Sequence, residues 1–153
     1  MNQEELAEIF LQGQCFNFAP ELAKCLHEKG YRVSLEVILG TRLNKWGEDE
    51  HVCIHAYVSF ADVTGTDVSM DVKKVITEDD KDAIRTTWRS ICRQNQEKTL
   101  SVWGALYRLD QADIYWRDLE PSGSTFSEEF AAKAKELILS NVQNDQFPWG
   151  RFL

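Results

Sequence analysis

The sequence predicts an α+β fold, with N-terminal helices packed on a small antiparallel sheet and a helical C-terminal half. Three patterns carry this expectation. Apolar residues recur at helical spacing between residues 3 and 28, two stretches alternate at strand period over 31–39 and 51–60, and helical spacing returns after Thr77. The 153 residues are read as a single domain, 1–153, with the chemistry-bearing residues in 10–76 and a mainly helical part in 77–153.

Taken in order, Leu6, Ile9 and Phe10 share one side of a short helix over residues 3–11, which Gly13 breaks. From about residue 16 to Glu28, the residues Phe18, Ala19, Leu22, Ala23 and Leu26 mark the core-facing side of a longer helix that Gly30 stops. Pro20 falls inside that pattern, where its ring meets a carbonyl one turn back, so an irregular first turn or a restart at Asn17 is expected. Tyr31–Leu39 is a half-buried strand, and Gly40–Glu50 reads as a polar loop. His51–Phe60 is a second strand, with His51, Cys53, His55, Tyr57 and Ser59 on one face. Ala61–Thr66 connects it to a third strand, Asp67–Ile76, on which Asp67, Ser69, Asp71 and Lys73 share a face. Thr77 followed by Glu78, Asp79 and Asp80 is a capping-box start. Residues 99–119 fit helix or strand equally well, and Thr125 with Glu128 opens a last helix. The apolar tail Phe147–Leu153 is expected to pack on the body or on a partner.

Composition narrows the classes of function. A net charge of -8 excludes a nucleic-acid binder that works by phosphate neutralisation. No run of apolar residues approaches the ~18 needed to span a membrane, and Met1–Glu5 lack both the basic and the apolar region of a secretory signal. The four cysteines form no CxxC pair, which points to a reduced, cytoplasmic setting with free thiols.

The organising residue is Cys15, placed where the longer helix should begin. The first N–H groups of a helix are unpaired and carry partial positive charge, and a thiol there can ionise more readily to the nucleophilic thiolate. Such a nucleophile needs a base and a group that orients the base. In the antiparallel hairpin, a five-residue connection puts His55 opposite Asp71, and a register two residues different leaves the pair diagonal but within reach. His55 is therefore the expected base and Asp71 its orienting acid, with His51 the alternative base and Asp67 and Asp62 the alternative acids. His51 and His55 on one straight strand stand roughly 13 Å apart, too far for one metal ion; no metal and no cofactor is expected.

The order of parts, GQCFNFAPELAKCL, then HVCIHAYVSF, then VSMDVKKV, resembles the papain-like and transglutaminase-like cysteine-enzyme superfamily over about residues 10–75. The resemblance implies Cys15 as nucleophile, His55 as base, Asp71 as orienter, and an oxyanion site from the Cys15 N–H with Gln14 or Gln12. It implies hydrolysis or acyl transfer on an amide or thioester, with a peptide or protein as a possible substrate. The alternative expectation is a non-enzymatic acidic interaction or inhibitor protein on the same scaffold, binding a partner through Trp103, Trp116 and Trp149 of the aromatic C-terminal half.

Overall fold

The computed structural model describes residues 2–153; Met1, the first residue of the opening segment, lies outside them. Helix α1 (Gln3–Leu11) starts at Asn2, whose side chain accepts the Glu5 N–H. Gly13, at φ +134°, then turns the chain into α2 (Cys15–Glu28), a backbone conformation that glycine adopts without strain. The helix neither starts irregularly nor restarts at Asn17: it continues through Pro20. The N–H that proline lacks would have bonded the Phe16 carbonyl, and the Tyr115 hydroxyl donates to that carbonyl instead, at 2.8 Å.

Four antiparallel strands follow, β1 (Val33–Leu43), β2 (Asp49–Ala61), β3 (Asp67–Met70) and β4 (Lys98–Arg108), ordered β3-β2-β1-β4. The expected loop over 40–50 shrinks to 44–48, because β1 runs on through Gly40. A glycine fits there because a Cβ would come within 2.6 Å of the Trp88 ring. The ambiguous 99–119 segment is both things in turn, β4 and then helix α4 (Ala112–Leu119). Helix α3 (Glu78–Gln94) opens on the Thr77–Asp80 capping box, and α5 (Glu128–Leu139) is capped by Ser127 rather than Thr125.

The sheet separates two apolar layers. On one face Val33, Leu35, Val37 and Leu39 of β1 pack with Ala56, Val58 and Phe60 of β2 against α1, α2 and α5. On the other, Ile38, Tyr57, Ile54 and Val102 meet Ile76 and Ile84, at the start of α3 and along it. The C-terminal tail closes the first layer: Phe147, Trp149 and Leu153 are buried, and the Trp149 indole donates to the Val72 carbonyl at 3.0 Å. Trp149 is thus a core residue and cannot anchor a partner; Trp116 is half-buried against Phe16, and Trp103 is 36 % exposed. Among the described residues no helix is long and apolar enough to cross a membrane.

Candidate active site

Strand β2 carries the feature that shapes the site. Ile38 of β1 pairs with His55 but Leu39 pairs with Cys53, so Ile54 is an extra residue, a β-bulge. Strict alternation would put Cys53 on the same face as His55 and Tyr57. The bulge turns Ile54 to the α3 side and Cys53 to the α2 side, where it packs with the layer that includes Cys15. Strand β3 pairs only with Val58–Ala61, so the outer edge of β2 is unpaired at His55. The expected third strand over 67–76 stops at Met70 for a local reason. Asp71 Oδ1 accepts the N–H groups of Lys73 and Lys74 at 2.9 and 2.8 Å, folding the chain into a turn.

That turn leaves Oδ2 of Asp71 facing His55, whose Nε2 donates to it at 3.0 Å. Phe60 pairs with Val68, the register that sets Asp71 diagonal to His55. The turn itself is pinned from three sides: Lys73 pairs with Glu8 of α1, Lys74 with Asp80 of α3 at 2.8 Å, and Val72 with Trp149 of the tail. Elements far apart in sequence thus fix one carboxylate.

Cys15 is the first residue of α2, only 9 % exposed. Its pKa is held well below the ordinary thiol value, first by a hydrogen bond from the Cys53 thiol, against the opposing effect of burial, and then by the hydrogen bond and charge of His55. Cys53 is pushed the other way, by its bond to the Cys15 sulfur and by burial, so it stays a protonated donor. Burial works against the His55 cation, but bonds to Asp71 and Cys15 and their charges lift its pKa to about 9. Burial likewise raises Asp71, and the His55 bond with the two backbone N–H groups overrides it, leaving the carboxyl below its usual range. Together these shifts run toward a thiolate–imidazolium pair backed by a carboxylate. The His55–Asp71 bond closes at 3.0 Å.

The other expected residues fall as follows. Gln14 is the N-cap of α2, with its side-chain oxygen held by Asn17 Nδ2 at 2.8 Å, which leaves its NH₂ as the free end beside Cys15. Gln12 points elsewhere: its amide donates to Glu8 on the exposed side of α1. His51 lies against Trp103, ring centroids 5.4 Å apart, and is not among the groups that touch the Cys15 sulfur. Asp67 pairs across from Ala61, and Asp62 caps the hairpin by accepting the N–H groups of Thr64 and Thr66. Among the described residues no three His, Cys, Asp or Glu side chains are grouped to hold a metal ion.

Sequence reasoning missed Cys53, Tyr115 and Asn17. An unbroken alternating run such as HVCIH contains no sign of a bulge, and the partners Tyr115–Phe16 and Asn17–Ser127 are about a hundred residues apart, 99 and 110. Two recesses meet at Cys53, a polar one of about 560 Å³ bounded by Gly13, Phe16, His51 and Ser124, and an apolar one of about 520 Å³ on the α3 side. Set against family models, characterised proteins and solved structures, the chain matches none of them.

Proposed function

We propose that this chain is a cysteine hydrolase or acyl-transfer enzyme acting on an amide or thioester, a relative of the papain-like and transglutaminase-like enzymes. One observation carries the reading: Asp71 holds His55 at 3.0 Å, and His55 lowers the pKa of the Cys15 thiol at the start of a helix. In the first half-reaction the thiolate attacks the carbonyl carbon, forming a C–S bond and moving the carbonyl electron pair onto oxygen. The Cys15 N–H, at the first residue of α2, and the Gln14 NH₂ are the donors this reading assigns to that oxyanion. Collapse breaks the bond to the leaving amine or thiolate, which takes the His55 proton. Water or an amine then gives a proton to His55 and attacks the thioester, releasing the acyl product and the thiolate. Four free thiols suit a reducing compartment such as the cytoplasm.

Iodoacetamide at neutral pH tests the reading, with intact-mass and peptide mapping as readout. Cys15 is expected to be alkylated first, ahead of Cys25, whose pKa burial raises, and His55→Ala should slow it about tenfold or more. Equal rates in native and His55→Ala protein would overturn the ion pair. A second reading, a non-enzymatic binding protein on the same scaffold, draws on the 9 % exposure of Cys15. It requires that Cys15 react no faster than Cys25.

A further inference from the structure

The apolar recess lies between β2 and α3, walled by Ile54, Ile76, Ile84, Trp88 and Ile91. One end of it is formed by His55 and Asp71, and Cys53, which also lines it, touches the Cys15 sulfur. Its charged rim, Lys74 and Asp80, is already paired at 2.8 Å and offers no free charge to a ligand. Its volume of about 520 Å³ suits one medium-sized group. Trp88, 6 % exposed, contributes an aromatic wall. Ile54, Ile76 and Ile84 belong to the apolar layer between the sheet and α3, and Ile91 extends that lining to the open side of the groove, where it is 43 % exposed.

We infer that this recess is the acyl-binding site: it takes an uncharged aliphatic group joined directly to the carbonyl that Cys15 attacks. The inference rests on the catalytic reading above and adds the substrate's acyl class to it. The group enters beside His55, with its chain running along α3 and its carbonyl left at the Cys53 end, next to the sulfur. Acylation then forms the C–S bond with the chain already buried, and the leaving group departs on the opposite, polar side of Cys53 with the His55 proton. A fatty-acyl donor and an apolar residue on the acyl side of a peptide bond share this chemistry.

The test uses Cys15→Ala protein, which cannot turn over, titrated with acetamide, butanamide, hexanamide and octanamide while the Trp88 indole N–H is followed by NMR. The indole signal should shift, and affinity should rise by about fourfold per added CH₂ until the groove is full. Ala83 and Thr87 line the groove from the exposed side of α3, so Ala83→Trp or Thr87→Trp should fill it without disturbing the core and cut hexanamide affinity by about tenfold or more. An affinity independent of chain length, or full hexanamide binding by both tryptophan variants, overturns the inference whatever Cys15 does. Graded binding together with an unreactive Cys15 overturns the catalytic reading instead. N-acetyl-leucinamide, with a branched side chain and a second amide, tells the two sources apart: tighter binding than hexanamide assigns a peptide and weaker binding an acyl thioester.

Discussion

At the scale of single residues, Asp71 shows how one side chain performs two tasks. Oδ1 folds the backbone by accepting the Lys73 and Lys74 N–H groups, while Oδ2 holds His55. Asp71→Asn separates them, since the amide oxygen can keep the turn but the charge beside the imidazole is gone. The His55 pKa should then drop from about 9 toward its ordinary 6.5, by roughly one unit or more for loss of an adjacent opposite charge. Cys15, which leans on the His55 charge, should move up. The expected result is a thiolate–imidazolium window narrowed from both sides, read as the acid midpoint of iodoacetamide alkylation and the NMR titration of the His55 ring. Unmoved midpoints would reduce Asp71 to a backbone staple. Spacing and pairing geometry made the contact between His55 and Asp71 legible, because a hairpin restricts which side chains can meet. Cys53 was illegible because its role depends on Ile54 being an extra residue, and a bulge changes the face of everything before it without changing the pattern of letters.

At the scale of elements, periodicity and punctuation were legible where the force acting was local. Gly13, Thr77 with Asp80, and the apolar stripe of α2 announce themselves, since caps and amphipathic faces are set within a turn or two. Gly40 and Pro20 misled because distant partners compensate them: Trp88 packs on the glycine, and Tyr115 serves the carbonyl freed by the proline. The second case can be measured. Tyr115→Phe leaves the Phe16 carbonyl buried without a donor, which should cost about 1–3 kcal/mol in urea unfolding. Pro20→Ala restores an N–H that can close the intrahelical bond to the same carbonyl. In that background Tyr115→Phe should cost less than half as much, because the carbonyl is no longer orphaned. Equal costs in both backgrounds would mean that the hydroxyl does not stand in for the proline's missing donor. The helix start that presents Cys15 lies one residue from Phe16, so the variant's alkylation rate also reports whether this contact sets the position of the thiol.

At the scale of the molecule, the start of α2, the bulge in β2, the turn after β3 and the C-terminal tail converge on Cys15, His55 and Asp71, and the ion pair proposed there would leave a signature in global stability. His55 has a folded pKa of about 9 against 6.5 when unfolded, so its contribution is full below 6.5 and is lost as pH rises through 9. Cys15 has a folded pKa well below 9.0, so its contribution is present above 9.0 and is lost as pH falls through the lowered value. Between 6.5 and 9 the two trends oppose each other. Wherever Cys15 is ionised in that window, the native state holds one proton, on His55, and the unfolded chain also holds one, on the Cys15 thiol, so this pair adds no slope there. Below 6.5 the unfolded chain takes a second proton that the native pair does not, and stability should fall by up to about 1.4 kcal/mol per pH unit until Cys15 protonates. Asp71, also lowered, extends the loss further into acid as its own folded pKa is passed. Cys15→Ala removes only one partner and so introduces a slope where the native protein is flat: His55, its proton held by Asp71, should make that variant lose stability with rising pH above 6.5. Urea unfolding of the two proteins at pH 5.5, 6.5, 7.5 and 8.5, taken as a difference so that other groups cancel, measures this directly. Parallel curves across that range would mean that sulfur and imidazole titrate independently, and the thiolate–imidazolium pair would then have no place in the fold.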